Sequence, residues 1–228
     1  MARSLVLLAA LIVSLPATAA DIGVSSVIAE IDLAVDLFDE DVPLGGLSGL
    51  TYDPGCDLFY ALTDDRGYIA APRVYAFKLE LQGPTVRPIE VITLRDGPIE
   101  PFARGVLDPE AVALDPDGLL WVATEGEANR GVPPRIAAFR LDGSMTGELE
   151  IPSPYLPGED RGVRSNHGFE GMSVSPDGSR LIAAVESALI QDGPDADLHR
   201  GTTVRLLVFD TATGSPISER AYRVEPVP

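Results

Sequence analysis

Cysteine is nearly missing. Cys56 is the only one, so no internal disulfide can form and the fold must stand on its core or on bound ions. Its "DPGCD" setting shows no ligand or redox spacing and reads as a turn. Histidine is almost as scarce: His167 and His199 are the only imidazoles, too few with one thiol to suggest a zinc set. Positive charge is short as well. Lysine is reduced to Lys78, and 17 Lys and Arg face 35 Asp and Glu, for a formal net charge of −18. That argues against nucleic acid or an anionic bilayer as the main partner. It suits cation binding, and plain solubility equally. Long apolar runs are also lacking. The longest, Leu5 to Leu15, is about eleven residues, whereas a membrane span needs roughly 20. No later stretch keeps a helical period.

That short apolar run has a meaning of its own. Arg3 precedes it and "ATAA" follows it, which predicts a signal peptide over residues 1–20, cleaved near Ala19–Ala20. The mature domain, 21–228, is then expected in the periplasm or secreted. No cysteine follows the cleavage region, so a lipid anchor is not expected.

The chain repeats itself, and repeats set the architecture. "SGLTYDPGCDLFYALTDD" (48–65), "EAVALDPDGLLWVATEGE" (110–127) and "EGMSVSPDGSRLIAAVES" (170–187) align. Each reads as an apolar strand, a turn rich in Pro, Asp and Gly, a second apolar strand, and an acidic end. Pro fixes φ and Gly accepts positive φ, which is what a hairpin turn needs. Then come "DRG", "NRG" and "HRG", followed by "RVYAFKL", "RIAAFRL" and "RLLVFDT", and by a fourth run in each copy, "VRPIEVITL", "TGELEIPS" and "SERAYRV". Four strands per unit, at a period of roughly 60 to 70 residues, predict an all-β chain: a β-propeller of four-stranded antiparallel blades. Propellers close with about 4 to 8 blades, and three are present. "SVIAEIDLAVDL" is expected to act as an N-terminal closing strand, and the chain is expected to be part of a longer propeller.

Antiparallel pairing puts the start of a blade's first strand beside the end of its second. Glu110 and Glu125 then share one rim, as do Glu170 and Glu186; the first copy offers Ser48 and Asp64. Two like charges about 4 Å apart repel by roughly 4 kcal/mol at an effective dielectric of 20. Protonation, arginine pairing or a bound cation relieves this. Oxygen ligands favour Ca²⁺. The candidate metal ligands are therefore Asp64, Glu110, Glu125, Glu170 and Glu186, with Asn166 nearby. The plainer alternative is that these acids pair with loop arginines and pin the blades. Arg66, Arg130 and Arg200 leave the same rim and could clamp an anion. Glu170 and His167, three residues apart, are the candidate catalytic groups.

Other chemistries fit less well. "GGLSGL" resembles a nucleophile elbow, but position 50 is Leu and no helix follows, so Ser48 is not expected to be a nucleophile. Gly45 and Gly46 form no phosphate loop for the same lack of a helix. Trp121 takes a strand position and is expected to pack.

"GGLSGLTYD…LFYALTDDRG", "DPEAVALDPDGLLWVATEGE" and "NHGFEGMSVSPDGSRLIAAVES", in this order after a signal peptide, resemble the phytase-like family of exported bacterial proteins. That family is described as having esterase-like activity. The resemblance implies a propeller whose acidic rim is the site, and a hydrolase of a small anionic or ester substrate, a phosphoester first. The alternatives are a lactonase of the gluconolactonase type and a non-enzymatic propeller that binds a ligand or partner in the periplasm.

Overall fold

The computed structural model describes residues 27–227 except 28, 40 and 98. The expected signal peptide lies outside the described residues. Twelve strands form three four-stranded antiparallel sheets, each in chain order. The first blade holds β1 (Leu47–Asp53), β2 (Leu58–Thr63), β3 (Arg73–Glu80) and β4 (Thr85–Thr93). The second holds β5 (Pro109–Leu114), β6 (Leu120–Thr124), β7 (Arg135–Phe139) and β8 (Met145–Glu148). The third holds β9 (Phe169–Val174), β10 (Arg180–Val185), β11 (Thr202–Asp210) and β12 (Pro216–Val224). Helix is confined, among the described residues, to single 3-10 turns.

Strand β5 packs against β1 on one side and β9 on the other, the relation of neighbouring blades in a β-propeller. The side-chain period of two explains how one blade serves two interfaces. In β6, Leu120 and Val122 join the core shared with the first blade, while Trp121 and Ala123 join the core shared with the third. In β7, Ala137 and Phe139 face one way, Ile136 and Ala138 the other. Small alanines let the sheets approach, and the outer strands β4 and β12 are largely exposed.

The hairpin turns form as their residues dictate. Asp115 Oδ1 accepts the N–H groups of Asp117 and Leu119, and Gly118 takes φ +83°. Cys56 is exposed in its turn. Trp121 is buried, with its indole N–H donated to Asp115 Oδ2 at 2.9 Å.

The N-terminal segment departs from expectation. Its described part, residues 27 and 29–37, contains no strand. The Leu37 N–H bonds Ala34 O and closes a turn, which breaks the extended run. The chain then lays Phe38 against Tyr75 of β3, ring centres 4.6 Å apart, on the face of the first blade turned away from the second.

Candidate functional site

Each inner hairpin carries the same irregularity at its rim. The pairing of β5 with β6 runs Pro109↔Thr124 and then Ala111↔Ala123, so Glu110 is an extra, unpaired residue. The pairing of β9 with β10 leaves out Glu170 in the same way, and that of β1 with β2 leaves out Ser48. A bulge at a sheet end re-aims one side chain. Here it does so at the head of each inner strand.

The residue two before each bulge accepts a backbone hydrogen bond from the residue just after the second strand. Asp64 N–H meets Gly46 O at 2.8 Å, Glu125 N–H meets Asp108 O at 3.3 Å, and Glu186 N–H meets Gly168 O at 2.9 Å. Gly46, Asp108 and Gly168 are thus equivalent positions, and only the second blade puts a carboxylate there. Gly168 has no room for one: a Cβ would come within 2.4 Å of the Glu125 backbone. Its N–H instead donates to Glu125 Oε1 at 3.2 Å.

Two sets of acids result. Asp108, Glu110 and Glu125 bring one ligand oxygen each within 4.8 Å of one another, and so do Glu125, Glu170 and Glu186. Glu125 is 1% exposed and Asp108 7%. Burial, with the nearby Glu170, Asp108 and Asp64 charges, pushes the Glu110 carboxyl up to about 8. Burial and the adjoining Glu170 push Glu125 up to about 8. Burial likewise raises Asp108, against the pull of Arg66.

Of the three rim arginines, Arg66 enters this group. Its Nη2 lies 2.5 Å from Asp108 Oδ2 and 4.0 Å from Glu125 Oε2, and donates to Asn166 Oδ1 at 2.8 Å. It therefore ties a loop of the first blade to the second blade and to the loop before the third. The contact with Asp108 is close but off-line for a hydrogen bond, and both Asp108 oxygens are buried without a hydrogen-bond partner. Arg130 and Arg200 are held elsewhere. Arg130 pairs with Glu127 at 2.9 Å and Arg200 with Asp197 at 3.0 Å, each three residues back and each well exposed.

His167 lies on the loop leading into β9. Arg164 anchors that loop through Ala188 O and Asp195. His167 Nδ1 is 2.9 Å from Glu186 Oε2, again off-line for a hydrogen bond. Glu170, Glu186 and His167 are thereby gathered as expected. Asp64 is exposed beside them and belongs to neither oxygen set among the described residues. It acts on Glu110 and Asp108 by charge alone. Ser48 Oγ donates to Pro109 O at 3.2 Å and serves the contact between blades. An open cleft of about 550 Å³ lies on the first-blade side of Arg66, lined by Leu44, Gly46, Asp64, Arg66, Tyr68 and Ile69 among others.

Asp108 is the residue that sequence reasoning missed. It precedes the aligned hairpin by two positions, where the other copies carry glycine. Extending the repeat alignment by two residues would have exposed it.

A sequence model of a family described as "Phytase-like: Esterase-like activity of phytase" matches residues 42–228. An "Uncharacterized secreted protein" of Arthroderma benhamiae is 26% identical over 143 residues, covering 52% of this chain and 27% of that protein. The periplasmic gluconolactonase PpgL of Pseudomonas aeruginosa aligns in structure with a TM-score of 0.41 and 16% identity, over 82% of this chain and 59% of that one. The chain thus spans about a quarter of that curated relative's length and under two thirds of the gluconolactonase's. No helix among the described residues is long and apolar enough to cross a membrane.

Proposed function

Since the chain belongs to the phytase-like family, that of the esterase-like activity of phytase, we propose that it is an exported hydrolase that cleaves an ester, a phosphoester in particular, at its acidic rim with the help of bound Ca²⁺. One observation carries this reading: among the described residues, five carboxylates, Asp108, Glu110, Glu125, Glu170 and Glu186, converge with one guanidinium, Arg66, in contact. Such an excess of negative charge around the buried Asp108 and Glu125 needs a cation or protons. The donors are all oxygens, and Asp108 keeps a buried oxygen with no partner, which suits a hard cation.

Asp108, Glu110, Glu125, Glu170 and Glu186 supply the oxygens that would hold bound metal. When bound, it supplies charge neutralisation to an anionic ester and polarises the oxygens it meets. The chain's own groups do the rest. Arg66, 28% exposed, presents its free edge to an anionic substrate. His167, whose Nδ1 lies 2.9 Å from Glu186 Oε2, moves a proton as general acid or base, and Glu170 assists from the same rim. The cleft beside Asp64 and Arg66 receives the organic part of the ester. Arg130 and Arg200, engaged with their own neighbours, take no part.

The test is turnover of phosphoester, carboxylester and lactone panels before and after chelation. Phosphoester hydrolysis lost with the metal and restored by Ca²⁺ is the expected result, and His167→Ala should lower kcat by about 10²-fold. Turnover that survives chelation ends the metal role. Activity on lactones alone changes the substrate class, and Ca²⁺ binding without turnover on any panel leaves a binding propeller.

A further inference from the structure

We propose that the acidic rim takes two divalent cations side by side, with Glu125 as the carboxylate common to both positions. This rests on the metal-assisted reading above and adds its stoichiometry.

The oxygens divide into two sets, not one. Asp108, Glu110 and Glu125 form the first, and Glu125, Glu170 and Glu186 the second, each within 4.8 Å. Calcium holds its oxygens at about 2.4 Å, so one ion spans ligands up to about 4.8 Å apart. Each set fits one coordination sphere. Glu110 and Glu186 fall in no common set, and only Glu125 belongs to both.

Charge gives the same count. Asp108, Glu110, Glu125, Glu170 and Glu186 carry five negative charges when ionised, and Arg66 cancels one. Two divalent ions cancel the remaining four, while Asp64, outside both sets, keeps its charge in solvent. One ion leaves an uncompensated pair of charges in a place where Glu125 is 1% exposed.

Asp108 is the independent observation. It is 7% exposed, Arg66 touches only Oδ2, and Oδ1 has no partner at all. The equivalent positions of the other blades, Gly46 and Gly168, show that the hairpin folds without a carboxylate there. A buried acid that the fold does not require, with one oxygen unpartnered and its carboxylate within one coordination sphere of two more acids, is explained by a ligand. The bulges supply the symmetry: Glu110 and Glu170, aimed by the same device in adjacent blades, each head one set. Two cations sharing a carboxylate suit an ester with several anionic oxygens, since both can neutralise one phosphoryl group.

The experiment is Ca²⁺ stoichiometry by native mass spectrometry and titration calorimetry on the chelated whole chain. The wild type should bind two ions. Glu110→Gln and Glu186→Gln should each bind one, and Glu125→Gln should weaken both ions about tenfold or more. One ion in the wild type overturns the pair and leaves the metal reading standing; none overturns both. Two ions retained in Glu110→Gln and Glu186→Gln would place them elsewhere on this acidic surface, and the proposal fails. The wild-type count requires no variant to fold.

Discussion

The ends of two equivalent strands solve the same electrostatic problem in opposite ways. After β2, Asp65 is wrapped by its own loop: Tyr68 and Ile69 donate N–H groups to one oxygen, and Ala70 and Arg73 donate to the other. Burial alone would raise this carboxyl, but those four donors bring it down to about 2. After β6, Glu125 receives one backbone N–H, from Gly168, and faces acids. It sits at about 8. The first blade completes Asp65, one residue beyond Glu125's counterpart Asp64, from within, while the second leaves Glu125 wanting positive charge. What is structural at one rim position is available for binding at the next.

The largest effect should come from breaking the complete case. Asp65 is 7% and Arg73 3% exposed in their side chains, so Asp65→Ala strands a buried guanidinium. Urea denaturation should show a loss of about 3–5 kcal/mol. Asp65→Asn/Arg73→Met should recover part of it, because no charge is then left unpaired. A loss below about 1 kcal/mol would mean that Tyr75, which accepts from Arg73 Nε at 2.7 Å, and the Ala70 and Ala71 carbonyls satisfy the arginine without Asp65. The pH dependence has a definite sign. A carboxyl lowered to about 2 from its ordinary value of 3.8 stabilises the fold above that ordinary value, and the contribution disappears as pH falls through about 2.

A smaller effect belongs to the far end of the second blade's hairpin, where Asp115 is another complete carboxylate. Trp121→Phe removes the indole donor from Oδ2 and leaves both backbone donors on Oδ1. The expected loss is about 1.5–2 kcal/mol by the same denaturation measurement. It measures what one donor is worth to an acid that is otherwise served, the quantity that Glu125 lacks.

The blades were legible because two local signals agree in each copy: period-two apolar runs and Pro/Gly turns. The fourth strands of the first and third copies fall where "VRPIEVITL" and "SERAYRV" sit, while that of the second ends at Glu148, early in "TGELEIPS". The bulges were not legible, since one unpaired residue leaves no mark on a pattern read along a single strand. The arginines diverge although "DRG", "NRG" and "HRG" look equivalent. Their context separates them: Glu127 and Asp197 stand three residues before Arg130 and Arg200 and pair with them, whereas Thr63 stands three before Arg66. With no local acid at that spacing, Arg66 crosses to Asp108. The N-terminal segment alternates like a strand, but alternation promises only an apolar side, which a turn and Phe38 can bury against Tyr75 instead.

The smallest effect should be the most informative about the incomplete acid. Glu125→Gln keeps the oxygen that accepts the Gly168 N–H and removes a charge beside Glu110 and Glu170. In chelator near pH 8 the variant should be more stable than the wild type by about 1 kcal/mol, the scale of partly screened like charges. The sign follows from proton uptake. Glu110 and Glu125, raised to about 8 from 4.5, hold protons in the fold at pH values where the unfolded chain has lost them. That stabilisation is complete below about 4.5 and lost as pH rises through 8. Metal-free wild type should therefore weaken from pH 5 to 8, and Glu125→Gln should weaken less. Saturating Ca²⁺ should remove the decline in the wild type, because a cation replaces protons and binds better once they leave. A flat profile in chelator would show Glu125 to be as well served as Asp65, and the contrast between the two blades would be gone.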